Sequence, residues 1–254
     1  MLTFTTAELD AWLAALMLPF FRFAALMSTA PVVSHPSVPR RIRLGLALLL
    51  AVIVAPTLPP TAAVSPFSPG GVLLIAQQLA VGFAIGLVMQ FAFAAVTLAG
   101  DLIGLQMGLS FASLVDPQHS EQVPLVGAFL SVVLLLTFVA ANGHLIVISA
   151  LADSFTAFPL RGNGLAHFNV RTLVSGAGTI FASGLLIALP VVASLMVASL
   201  ALGVLTRTAP QLNLFAVGFP VTLLVGLLML CLGMPFAMPA MHRLLDVTQA
   251  LLPH

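Results

Sequence analysis

Apolar residues fall into six long runs, at 12–33, 44–55, 72–99, 123–152, 173–205 and 212–241. Runs of this length and uniformity predict helices that are apolar around most of their circumference. Five polar or proline-rich linkers separate them. The first, 34–43, carries Arg40, Arg41 and Arg43. The second, 56–71, is rich in Pro, Ser and Gly, and the third is the segment 100–124. The fourth, 153–172, holds Arg161 and Arg171, and the fifth is a short turn at 206–210.

The lengths fit a bilayer poorly. At about 1.5 Å per residue, 44–55 reaches roughly 18 Å and 72–99 roughly 42 Å, against a hydrocarbon core of about 30 Å. Pro190, Pro220, Pro235 and Pro239 fall inside the later runs, where each removes a backbone donor and is expected to interrupt its helix.

Composition turns these helices into membrane helices. Of 254 residues, 61% are hydrophobic and only 6% charged, with a mean hydropathy of +1.19. Soluble domains carry about 25% charged residues, so this chain lacks the polar surface to solvate a globule. It is an all-α membrane protein. The eight basic residues are all arginine and the net charge is +1, too little to neutralise a run of phosphates, which excludes nucleic acid as a partner. The N-terminal residues lack the basic region of a cleaved signal peptide, so the first run is expected to insert as it stands. Thr5 or Thr6 followed by Glu8 reads as a helix start. Cys231, alone in an apolar run, reads as a small buried hydrophobe.

Arginine placement does not define a simple weave. With Arg40, Arg41 and Arg43 in the cytoplasm, Arg207 falls on the same side, and Arg161, Arg171 and Arg243 fall on the other. The cluster at 40–43 reads as an anchor beside anionic headgroups. An even split means either an unusual topology or apolar surface that meets protein. Packing signals agree with the second. Gly82 and Gly86 form one small-residue pair, Gly100, Gly104 and Gly108 a longer ladder, and Ser175, Thr179 and Ser183 a third. Spacing by four sets these residues on one helix face, where another backbone can approach, within the chain or from another subunit.

Three of the seven acidic residues, Asp101, Asp116 and Glu121, lie in 100–124. The segment begins as a glycine-spaced helix and ends as a polar loop bounded by Pro117 and Pro124. Phe111, Leu114 and Val115 are apolar residues in a nominally exposed loop. Irregular backbone at membrane depth is tolerated where protein buries it or water meets it, and a plug or constriction inside an assembly satisfies both conditions.

Catalytic constellations are weak. Ser110, His119 and Asp116 supply the residue types of a triad, but they share one loop and no nucleophile elbow surrounds the serine. Asn142-Gly143-His144 lies deep in an apolar run. An intramembrane histidine can relay protons or bind metal, but no second ligand stands at i+3 or i+4, which favours a structural histidine bonded to a neighbouring helix. Arg22 sits inside the first run, where it could line a pathway or snorkel, and is expected instead to pair with Asp10 or another subunit's carboxylate. Gln77, Gln78, Gln90 and Gln106 suit hydrogen bonds between helices. No metal, cofactor or catalytic residue is expected.

Longer motifs carry a resemblance. They are Pro31 with Val38-Pro39-Arg40-Arg41-Ile42-Arg43-Leu44-Gly45-Leu46-Ala47, then Gln106-Met107-Gly108-Leu109-Ser110-Phe111-Ala112 with Val115-Asp116-Pro117, and Asn142-Gly143-His144-Leu145. Further on come Ala188-Leu189-Pro190, the stretch from Leu200 through Arg207 to Asn213, and Val217-Gly218-Phe219-Pro220. Over nearly its whole length the chain resembles the FliR family, the flagellar biosynthetic proteins of the type III secretion export gate.

That resemblance implies helical hairpins packed in a hetero-oligomeric gate with an unconventional topology, in the bacterial inner membrane at the flagellar basal body. It implies FliP and FliQ subunits as partners, together with the export-switch membrane protein, the large export-gate protein, membrane lipid and unfolded flagellar substrates. Residues 1–171 would form a FliP-like part and 172–254 a FliQ-like hairpin. The loop around Gly108, Leu109, Ser110, Phe111, Ala112, Ser113, Leu114, Val115, Asp116 and Pro117 would plug the closed pore. The chain would have no enzymatic chemistry of its own. The alternative from residue types alone is a self-contained transporter or intramembrane enzyme using His144 with Arg22 or Asp101.

Overall fold

The computed structural model describes residues 6–58, 68–109, 125–159, 170–208 and 214–250. Every regular element among them is helical. In chain order these are α1 (Thr6–Thr29), α2 (Arg40–Val54) with a 3₁₀ turn (Ala55–Thr57), α3 (Pro69–Gln106), α4 (Leu125–Ala140), α5 (Gly143–Ala157), α6 (Val170–Thr208) and α7 (Leu214–Ala250). α1, α3, α6 and α7 are each long and apolar enough to cross a membrane.

Two departures from the sequence expectation have clear causes. The fourth apolar run is two helices, because Asn142 takes the left-handed conformation (φ 56°, ψ 26°) and ends the ladder of α4 before α5 starts. Asparagine is among the few non-glycine residues that visit this region routinely. The prolines, conversely, do not end their helices. α1 runs through Pro19, α6 through Pro190, and α7 through Pro220, Pro235 and Pro239. A proline deletes one hydrogen bond, but apolar surroundings offer the other backbone groups no competing partner, so the helix persists around the defect.

The chain packs as two units. The first comprises Met1–Gln90, Ala141–Gly176 and Val247–His254; the second comprises Phe91–Ala140 and Ala177–Asp246. In the first, α2 returns along α1, and Ala47 and Ala51 are fully buried on its inner face. Phe23 of α1 meets Phe155 of α5, with ring centroids 6.2 Å apart. In the second unit Phe93 of α3 stands edge-on to Phe138 of α4 at 6.2 Å, and the Thr97 and Ser131 hydroxyls are 3.1 Å apart. Cys231 is exposed on α7, not buried as its apolar surroundings suggested. An apolar run on a membrane helix says nothing about which face turns inward.

Candidate functional site

The first unit is organised around Arg22, whose side chain is fully buried. Its Nε donates to Gln78 Oε1 on α3 at 2.7 Å. One terminal nitrogen donates to Ser154 Oγ on α5 at 3.0 Å, and the other to the Phe158 carbonyl at 2.9 Å. The guanidinium also lies over the Phe155 ring, 4.0 Å from its centroid. Ser154 in turn donates to the Leu151 carbonyl at 2.6 Å. The expected carboxylate is not among these partners. Asp10 lies twelve residues back, about 18 Å along a helix and beyond an arginine's reach. An amide, a hydroxyl, a carbonyl and a ring face take its place. One arginine thus ties α1 to α3 and α5, and Gln78 Nε2 remains buried without a partner among the described residues.

Glycines set how closely α3 meets α1. A Cβ on Gly82 would strike the Arg22 carbonyl oxygen and lie 3.0 Å from Ala25 Cβ. One on Gly86 would strike Thr29 Oγ1. At the end of this contact Gln90 Nε2 donates to the Thr29 carbonyl at 2.9 Å. Small residues let the backbones touch, and the polar side chains then reach across.

In the second unit the glycine ladder does not act as a single strip. Gly100 stands against Gly127 of α4, backbone to backbone. Gly104 is open by comparison: a Cβ added there would find its nearest neighbours, Leu109 and Val126, at 3.9 Å. Gly108 lies beyond the end of α3 with φ 84°, so it serves the turn out of the helix and not a helix face. Just before it, Met107 fills a notch at Gly226 of α7, where an added Cβ would lie 2.6 Å from Met107 Cγ. The Thr222 hydroxyl, one turn earlier on α7, is 3.2 Å from the Met107 carbonyl. Sequence reading missed this anchor. Its only trace there is a lone glycine, Gly226, in an otherwise large-residue stretch.

Of the expected loop residues, Gly108 and Leu109 are described and both are partly exposed. Ser110, Phe111, Ala112, Ser113, Leu114, Val115, Asp116 and Pro117 lie outside the described residues. Asp101 Oδ1 is buried without a hydrogen-bond partner among the described residues. His144 is exposed at the start of α5, so the expected bond from a buried imidazole is replaced by an outward-facing ring. Nor does His144 join Arg22, whose partners are those given above. The described residues contain no cluster of His, Cys, Asp or Glu able to hold a metal. A cavity of about 50 Å³ beside Pro190, lined by Ile103, Leu130, Ile187, Val191 and Gly233 among others, is apolar. It offers shape and no chemistry.

Taken together, the geometry is that of helix-to-helix fastening, with no group of side chains among the described residues arranged for catalysis. The family model "Bacterial export proteins, family 1" matches residues 13–248. The flagellar biosynthetic protein FliR of Pectobacterium carotovorum subsp. carotovorum is 43% identical over 245 residues, covering 96% of this chain and 93% of the relative. FliR of Escherichia coli K12 is 43% identical over 244 residues, with the same shares covered. FliR of Bacillus subtilis 168 is 34% identical over 243 residues, covering 92% and 91%. The chain belongs to family 1 of the bacterial export proteins, the family of the flagellar biosynthetic protein FliR.

Proposed function

We propose that this chain is a non-enzymatic subunit of the flagellar type III export gate, forming with FliP and FliQ the inner-membrane channel through which unfolded flagellar subunits leave the cell. The observation that carries this reading is the excess of exposed apolar helix. The apolar part of α6, Leu173–Thr208, is 36 residues long with 22% of its most apolar window buried. That is about 54 Å of helix, or about 51 Å projected at a typical 20° tilt, against about 30 Å of hydrocarbon. Phe181, Leu185, Leu186, Leu189, Leu200 and Val204 are all exposed along it. One bilayer cannot cover that surface, so protein must cover the remainder.

The lid of that channel is assigned to the loop 109–124, with Phe111, Leu114 and Val115 as its apolar contacts. The FliP-like part is 1–171 and the FliQ-like hairpin 172–254. Partners beyond FliP and FliQ are the export-switch protein and the large gate protein of the same apparatus. The test is co-expression of the tagged chain with FliP and FliQ. The three should purify as one complex, and cells carrying a deletion between Ser110 and Gln122 should leak ions while the complex still assembles. Solute transport by the chain reconstituted alone would overturn the gate reading. Unchanged conductance in the deletion would overturn the plug.

A further inference from the structure

We propose that α2 is a leaflet-deep helix that docks on anionic phospholipid, with Arg40 and Arg41 holding headgroup phosphates and its outer face lying among acyl chains. α2 turns Ala47 and Ala51 inward, fully buried, while Ile42, Leu46, Leu49 and Ile53 along the opposite side are all exposed. From Leu44 to Val54 every residue is apolar or glycine. Those eleven residues rise about 16 Å, half of a 30 Å hydrocarbon core and close to one leaflet. The helix then gives way to the 3₁₀ turn Ala55–Thr57 at Pro56. A helix this short cannot span, yet it presents a greasy surface one leaflet deep.

The charges lie only at its N-terminal end, and they are not equivalent. Arg43 turns back to donate to the His35 carbonyl at 2.6 Å, pinning the α1–α2 connection. Arg40 and Arg41 are exposed. The first turn holds no acidic residue and Pro39 supplies no side-chain cap. Two exposed guanidinium groups, with no partner among the described residues, stand at the positive end of a helix dipole, where an anion between them is favoured. Phosphodiester oxygens meet guanidinium nitrogens in paired hydrogen bonds. The choice of lipid over a free phosphate follows from continuity, because the apolar face begins within one turn of the charges, as acyl chain begins below a headgroup.

The experiment uses the full chain in nanodiscs, in a Cys231→Ser background with Leu48→Cys carrying a fluorophore. Bromine quencher is placed on the acyl chains of either phosphatidylglycerol or phosphatidylcholine, at the same overall headgroup composition. Quenching should be stronger with brominated phosphatidylglycerol, with an enrichment of about fivefold per arginine. Arg40→Gln with Arg41→Gln should abolish the preference and retain quenching. Arg43→Gln, which removes a loop contact and no free charge, should keep the preference. Equal quenching by both lipids in the parent would overturn the headgroup site. An unquenched label, or one shielded when other gate subunits are bound, would show that protein covers this face and overturn the lipid assignment.

Discussion

Gly100 of α3 and Gly127 of α4 meet with no side chain between them: a Cβ on the first would land on the Cα and N of the second. No rotamer can relieve such a clash, since a Cβ is fixed by its own backbone and the atoms it strikes are backbone. Gly100→Ala should therefore cost about 1–3 kcal/mol or more through overpacking. Gly104→Ala, whose Cβ would have ordinary contacts at 3.9 Å, should be neutral or gain up to about 1 kcal/mol from helix propensity. Thermal unfolding of the two variants in detergent checks the contrast, and equal midpoints would show that the backbones do not touch.

Arg22 and Gln78 should be strongly coupled. Gln78→Leu strips one acceptor from a buried cation, which costs more than a neutral orphan. Arg22→Met removes the charge and leaves neutral acceptors behind. The single Gln78→Leu change is expected to lose about 2–4 kcal/mol, and adding Arg22→Met to it should restore part of that loss. A double-mutant cycle by denaturant or thermal unfolding measures the coupling. Strict additivity would mean that the bond at 2.7 Å carries no energy.

The notch at Gly226 is a size relationship. Gly226→Ala places a Cβ 2.6 Å from Met107 Cγ and should destabilise by about 1–3 kcal/mol. Met107→Ala alone opens a cavity and should cost about 2–5 kcal/mol. The combined variant should be more stable than the sum of the two losses predicts, because the new methyl occupies part of the vacated space. Unfolding midpoints of the three proteins decide this.

Asn142 holds φ 56°, a conformation that suits glycine and penalises branching at Cβ. Asn142→Gly should leave stability nearly unchanged, whereas Asn142→Val should cost about 1–2 kcal/mol. If valine is tolerated, the break between α4 and α5 is not maintained by that backbone conformation.

Exposed Cys231 on α7 lies in an apolar stretch where a thiol ionises poorly, so a lipid-soluble carbene-generating diazirine, which inserts without ionisation, should label α7 around it readily in the isolated chain. Once the gate subunits are bound the labelling should fall sharply, if partners cover α7. Mass spectrometry after photolysis follows the modification. Unchanged labelling in the complex would place this face toward lipid.

Much of the molecule was legible from residue order alone. Local hydropathy along the chain marked where the helices lie, since burial of backbone polar groups in an apolar medium leaves the helix as the economical conformation. Glycine spacing also marked Gly82 and Gly86 as one close-packing face of α3, because small residues at intervals of four share a face, but it left open whether this chain or another subunit stands opposite. The longer motifs placed the chain in its family.

Tertiary structure decided which partner each residue finds. The Arg22 guanidinium reaches Gln78 and Ser154, 56 and 132 positions away, and nothing along α1 announces either. Hydropathy could not separate Gly100, pressed against Gly127, from Gly104, which has room, because the two differ only in what stands opposite. It also missed the break at Asn142 and the persistence of α6 through Pro190. Each depends on a balance between a local backbone preference and the hydrogen bonds that surroundings supply. Residue order records the preference, and packing alone records the surroundings.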